Sequence, residues 1–95
     1  MEVRQTEHYS RWFARLKDRQ ARIRIDIRIR RFILGNHGDV KQVGEGVSEL
    51  RIDVGPGYRV YFVVRGSEFM LLLAGGDKSS QESDIKLAKR LAAEL

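Results

Sequence analysis

Cysteine is absent from the 95 residues, which excludes a disulfide framework and a thiolate metal site and is compatible with a reducing compartment. Histidine is nearly absent too. His8 and His37 stand 29 positions apart with no HExxH element, poor material for a zinc site. No glycine cluster has the GxxxxGK[ST] spacing and no GxSxG element occurs, so neither a phosphate-cradling loop nor a serine nucleophile elbow is signalled. The longest uninterrupted apolar run, Phe69 to Ala74, is far short of the roughly 18 to 20 residues that a spanning helix needs. The opening MEVRQTEHYS carries no apolar signal segment. These absences lead to the expectation of one soluble, cytoplasmic domain with a single modest core, no metal, no cofactor and no membrane association.

What the chain does have is arginine. Its net charge is +5, yet residues 11 to 31 alone hold nine Lys/Arg against two Asp, and the remainder sums to −2. Such clustering marks either a basic surface for an anionic partner, nucleic acid or an acidic protein segment, or a solvated arginine-rich helix.

The most ordered pattern runs from Gly46 to Phe62, GVSELRIDVGPGYRVYF, and reads as a β-hairpin. In Gly55-Pro56-Gly57-Tyr58 the proline suits the first central position of a turn and Gly57 the second, where φ is positive, which predicts a type II turn. Side chains alternate along a strand, so Leu50, Ile52 and Val54 share one side with Tyr58, Val60, Phe62 and Val64 of the return strand. Arg51, Arg59 and Tyr61 then face away together, placing two guanidiniums and a phenol on one surface.

Around the hairpin, Met1 to Gln5 reads as an edge strand. Thr6 is an N-cap for a helix with the stripe Tyr9, Trp12, Phe13 and Leu16. From Asp18 the local pattern conflicts with itself. Arg22 to Arg30 alternates as a strand would, but an Asp18 cap, a Gly35-Asn36 stop and the stripe Ala21, Ile25, Ile29, Phe32 and Ile33 predict a helix. Residues 36 to 46 read as a glycine-punctuated loop displaying His37 and Lys41. Glu68 to Ala74 reads as a strand covered on both faces and ended by Gly75-Gly76-Asp77-Lys78. A capping box at Ser79 and Glu82 opens a last helix with Ile85, Ala88, Leu91, Ala92 and Leu95 inward. The predicted order is β-α-α-β-β-β-α, an α+β domain with an antiparallel sheet.

The candidate chemistry lies at Arg51, Arg59, Tyr61 and, after the next strand, Lys78. Arginine forks pair bidentately with phosphate oxygens and offset the charge of a pentavalent transition state, while tyrosine stacks on a base or relays a proton. A solubilising role for exposed hairpin arginines is the alternative.

The blocks LGNHGDVKQVGEGVSELRI at 34 to 52, GPGYRVYF at 55 to 62 and LLLAGGDKSSQESDI at 71 to 85 resemble the RelE/ParE toxin superfamily, in particular its phage-related, HigB-like branch of addiction module killer proteins. The resemblance covers nearly the whole chain and implies a helical hairpin packed on a twisted antiparallel sheet, with RNA bound on the concave face. By position it gives Arg51 as the basic residue of the first hairpin strand, Arg59 as the arginine of the GYR element and Lys78 as the basic residue after the last strand. Tyr61 joins them by alternation. The histidine or terminal tyrosine that some relatives use as acid or base is missing, and Asp84 falls near that place.

The function so implied is that of a type II toxin, an endoribonuclease that cleaves messenger RNA on the ribosome by metal-free in-line attack of a 2′-hydroxyl. Its implied partners are a HigA-like helix-turn-helix antitoxin, messenger RNA on the ribosome, and DNA only through the antitoxin complex. Lys41, Arg24, Arg28 and Arg31 are the candidate RNA- or partner-binding cations. A ParE-like gyrase inhibitor without nuclease activity and a non-catalytic nucleic-acid-binding module are the alternatives from other classes, because one fold can carry several functions.

Overall fold

The computed structural model describes all 95 residues. Strand β1 (Glu2–Gln5) leads into α1 (Glu7–Arg15) and α2 (Arg19–Ile33), followed by β2 (Val40–Gly44), β3 (Val47–Ile52), β4 (Tyr58–Arg65), β5 (Phe69–Asp77), a 3-10 turn at Lys78–Ser80 and α3 (Gln81–Ala93). The five strands form one sheet in the order β1-β5-β4-β3-β2. Strands β2 to β5 pair antiparallel, and β1 joins β5 in parallel, so the sheet is mixed. This is the expected α+β architecture, a helical hairpin on a sheet with a final helix, consistent with a RelE-like fold.

The caps decide the helices. Thr6 Oγ1 accepts from Tyr9 N at 3.1 Å and donates to Leu73 O at 2.6 Å, tying the start of α1 to the sheet. Asp18 Oδ1 accepts from Ala21 N at 3.1 Å, and the alternating segment that follows is helical throughout. A helix sends isoleucines two apart to opposite sides, so Ile25 and Ile29 are buried with Ala21 and Phe32 while Ile23 and Ile27 stay exposed.

Two cores sandwich the sheet. Tyr9, Ala21, Ile25, Ile29 and Phe32 of the hairpin helices pack on Leu50, Ile52, Tyr58, Val60, Phe62, Met70 and Leu72. Across the sheet, Ala88 and Ala92 of α3 pack on Val47, Tyr61, Val63, Leu71, Leu73 and Ala74. Each fully buried large apolar side chain contributes about 1.5–3 kcal/mol of transfer free energy. The inside-outside division expected for the hairpin is therefore present, but the outside is covered by α3 rather than open to solvent.

Several local readings are corrected. The segment 36 to 46 contains an edge strand, β2, and His37 stacks on Phe32 with ring centroids 4.1 Å apart. The hairpin turn is shifted by one residue. Gly57 N donates to Val54 O at 3.1 Å, so the hydrogen-bonded turn starts at Val54, and Gly57 has the expected positive φ, +82°, with Gly55 positive as well at +56°. Strand β5 does not stop at Ala74 but runs through Gly75 and Gly76 to Asp77. The capping box belongs to Asp77 and Ser80 of the 3-10 turn, and Ser80, not Ser79, holds the N-cap position of α3, where its side chain makes no cap hydrogen bond.

The two glycines of β5 are needed by what lies on either side of them. A bulge in the β4–β5 ladder pairs Tyr61 with Ala74 and Phe62 with Leu72, leaving Leu73 over and resetting the alternation. Gly75 then lies under Trp12, whose Cε3 would be 2.2 Å from an added Cβ, and Gly76 faces Asp84 and Ser80, where an added Cβ would overlap Asp84 Oδ2. Bare backbone on both faces lets α1 and α3 approach one strand from opposite sides.

Candidate functional site

Two rows of residues cross the sheet on its α3 side. The register runs Lys41, Glu49, Tyr61 and Ala74 in one row and Arg51, Arg59 and Gly76 in the next. Glu49 is the centre. Its side chain is 0 % exposed. Tyr61 Oη donates to Glu49 Oε2 at 3.1 Å, and Gln81 Nε2, from the first turn of α3, donates to the same oxygen at 2.7 Å. The other oxygen, Oε1, faces two guanidiniums, with Arg51 Nε at 3.7 Å and Arg59 Nε at 3.8 Å. Those three atoms have no hydrogen-bond partner, so the pairing there is Coulombic, between charges held short of hydrogen-bonding contact.

Beside this network the sheet end opens into a cleft of about 280 Å³ lined by Asp39, Arg51, Asp53, Gly57, Arg59 and Lys78. Three of the expected site residues meet there: Arg51 from β3, Arg59 from β4 and Lys78 from the turn after β5. Gly57, at φ +82°, is the residue beside which Lys78 and Arg59 come together; an added Cβ there would be 3.6 Å from Lys78 Cβ and 3.7 Å from Arg59 Nη1. Arg51 reaches Asp39 Oδ1 at 4.0 Å on the open side, and Arg59 Nη1 donates to Tyr58 O at 3.3 Å. Arg59 is only 6 % exposed, so its guanidinium forms the floor of the cleft while Lys78 stands at its rim.

The fourth expected residue is placed differently. Tyr61 shares the face of Arg51 and Arg59, but its ring is 0 % exposed beneath α3 and its hydroxyl is committed to Glu49. Burial first, then the neighbouring Glu49 carboxylate, push the phenol well above its usual range, which removes it as a base near neutrality. Stacking on a base is likewise closed to a ring with no exposed surface. Tyr61 supports Glu49.

The cations expected to bind RNA or a partner divide between the two sides. Lys41 lies on edge strand β2, exposed and in register with Glu49, so it extends the site row to the sheet edge. Arg24 and Arg31 are exposed on α2, across the sheet from the cleft. Arg28 is not a free cation: its Nη1 donates to Arg51 O at 2.6 Å and its Nη2 to Asp39 O at 3.2 Å. Removal from water lowers its pKa, with Asp39 opposing the shift. Arg28 clamps the end of β3 to the loop before β2, and thereby fixes Arg51 and Asp39, the two residues of the cleft that it touches through their backbones.

Glu49 and Gln81 are the residues that the sequence reading did not assign. Glu49 alternates with Val47 and Arg51 on one side of β3, and a carboxylate there, across from Tyr61 and next to Arg59, is the signal that could have found the pairing. Asp84, near which an acid or base was sought, accepts from Ser80 Oγ at 2.5 Å over Gly76. Burial raises its pKa, Ser80 lowers it and Asp77 raises it further, with the net shift upward.

No family model matches the chain, and no solved structure matches it with significance. A protein of Haemophilus influenzae (strain ATCC 51907 / DSM 11121 / KW20 / Rd), described as "Uncharacterized protein", is 46 % identical over 95 residues, covering 100 % of this chain and 96 % of the relative. The similarity runs end to end, and the chain belongs to the family of that Haemophilus protein.

Proposed function

We propose that the protein is the toxin of a type II toxin-antitoxin system, a HigB-like member of the RelE/ParE superfamily that cleaves messenger RNA on the ribosome. The observation that supports this best is the convergence of Arg51, Arg59 and Lys78, from three separate parts of the sheet, on one open cleft. With Glu49 buried beneath the arginines and Asp39 and Asp53 beside them the cleft is not net cationic, and what suits a phosphodiester is the convergence of two guanidinium forks and an ammonium as donors to its oxygens.

In this reading the 2′-hydroxyl loses its proton to solvent water as its oxygen attacks the adjacent phosphorus in line, the bond to the 5′-oxygen breaks to leave a 2′,3′-cyclic phosphate and a 5′-hydroxyl, and the charge gathered on the phosphoryl oxygens is met by the two guanidiniums. Arg59, held from below by Glu49, is pre-oriented, and Arg51 is steered by Glu49 and Asp39 from either side. Lys78, exposed at the rim, approaches the leaving oxygen and stabilises or protonates it. Glu49 is a positioning residue: it touches both arginines and is itself fixed by Tyr61 and Gln81. Because Gln81 opens α3, the packing of that helix and the geometry of the arginines are coupled. A HigA-like antitoxin as partner, messenger RNA as substrate and a cytoplasmic location belong to the same proposal.

The test is to add the purified protein to a translation reaction programmed with a defined messenger and to map the new RNA ends. Codon-phased cleavage that requires ribosomes is expected. Intact messenger together with inhibition of gyrase supercoiling would replace the nuclease reading with the ParE-like one.

A further inference from the structure

The outer surface of α2 carries an apolar stripe that the domain leaves uncovered. Ile23 is 52 % exposed and Ile27 41 % exposed, and Leu34, just past the helix, is 81 % exposed. Their spacings of four and seven put the three on one line along the helix. Arg24, Arg30 and Arg31 flank that line, and none of them is paired with a carboxylate in this chain; the ion pairs that do occur lie elsewhere. At its N-terminal end the stripe meets a groove of about 300 Å³ between the two hairpin helices, lined by Phe13, Arg19, Arg22, Ile23 and Asp26. Arg22 is drawn over the Phe13 ring at 5.3 Å.

We infer that this surface docks an acidic amphipathic segment of a partner protein, with apolar side chains at helical spacing seated on Ile23, Ile27 and Leu34 and carboxylates meeting the flanking arginines. The charge selects the occupant. A second copy of the chain meeting the stripe on itself would set arginine against arginine, at a cost to association. A nucleic acid would satisfy the arginines but leave three large aliphatic side chains against phosphates. An anionic bilayer would need a wide apolar face, and the wide face of α2, with Ile25, Ile29 and Phe32, is already buried in the domain. A helix laid along the stripe satisfies both the apolar and the cationic groups. The inference stands on this surface alone and does not depend on what the cleft across the sheet catalyses.

The test uses fluorescence anisotropy with a labelled designed peptide, leucines spaced to match the stripe and glutamates beside them. Comparison probes are a scrambled peptide of equal composition, polyglutamate, a single-stranded oligoribonucleotide and phosphatidylglycerol vesicles. The amphipathic peptide is expected to bind about tenfold more tightly than either control peptide, and Ile23→Ser with Ile27→Ser and Leu34→Ser to remove about that tenfold. All three positions are exposed, so circular dichroism should show an unchanged fold. Arg24→Gln with Arg31→Gln should flatten the salt dependence of peptide binding. Equal affinity for amphipathic and scrambled peptides, or serine variants that bind the peptide like the parent, would overturn the inference. So would tighter binding of the oligoribonucleotide or vesicles through Ile23, Ile27 and Leu34, or a dimer in sedimentation that the serine variants abolish.

Discussion

Beneath α1 and α2 the central strands present Leu50, Ile52, Val60 and Phe62, and every side chain of that core is apolar apart from the tyrosine hydroxyls. Beneath α3 the same strands present Val47, Glu49, Tyr61, Arg59 and Val63, an apolar patch continuous with a buried carboxylate and a guanidinium. The first face is built to hold the sheet together. The second accepts the cost of removing charges from water, which a buried pair only partly offsets. What it gains is orientation, since Glu49 sets two arginines from below and leaves their outer edges to the cleft. Substitutions should therefore separate the faces: those under α1 and α2 should act on stability alone, and those under α3 on stability and activity together.

The largest effect is expected at Val60. Val60→Asp would bury an unpaired carboxylate beneath the hairpin helices and should leave little folded protein, because such burial costs several kcal/mol or more against a total stability of about 5–15. Phe62→Ala should cost about 3–5 kcal/mol in urea denaturation, with the surviving folded fraction as active as the parent. A change in activity per folded molecule would break the division of labour between the faces.

Next comes Glu49→Gln, which retains shape but strands the Arg59 guanidinium. Breaking a buried pair in this way costs about 3–5 kcal/mol, and the longer 3.7–3.8 Å separations place this one at the lower end. Cleavage per folded molecule should also fall, unlike for Phe62→Ala. Tyr61→Phe removes one hydrogen bond to Glu49 and should cost about 1 kcal/mol by denaturation, with a modest loss of activity. If Tyr61→Phe abolished cleavage at full stability, the phenol would be acting on the substrate and the supporting role given to it here would be wrong.

The smallest effect is a pH dependence at Asp84. Its folded-state pKa lies above the 3.8 of a free side chain, with burial the first cause, so the folded state binds its proton more tightly than the unfolded one does. The stability this supplies is full below 3.8 and is lost as pH rises through the raised value. Asp84→Asn should flatten stability against pH in that interval, measured by denaturation midpoints at a series of acidic pH values. A parent protein that gained stability there through Asp84 would reverse the sign.

Much of this arrangement was legible in the chain and some was not, for identifiable reasons. The Asp18 cap, the Gly35-Asn36 stop and the stripe Ala21, Ile25, Ile29, Phe32 overruled the strand-like alternation of Arg22 to Arg30, because a helix satisfies the cap and a strand does not. The pairing of Arg51 with Arg59 followed from alternation. Cover on both faces was read for Glu68 to Ala74 but not extended to the hairpin, whose Arg51, Arg59 and Tyr61 side was taken as open although Val63 lay on it. Strand β2 was hidden by its polar residues and flanking glycines, as edge strands often are. The run through Gly75-Gly76 depended on a bulge and on Trp12 and Asp84 approaching from opposite faces, contacts between residues distant in sequence. Tyr61 was placed on the correct face with the wrong exposure for the same reason: burial there is set by α3, twenty residues further on.

The account stands most directly on Lys78, the cation of the cleft that is exposed and lies outside the ion pairs of Glu49. Lys78→Ala, assayed by RNA-end mapping in a ribosome-containing translation reaction at matched folded concentration, should lower the cleavage rate by about 10²-fold, within the range that a positioned acid-base group supplies. Its denaturation midpoint should stay within about 0.5 kcal/mol of the parent's stability, as for an exposed side chain. Undiminished cleavage by a folded Lys78→Ala protein would contradict the assignment of the cleft.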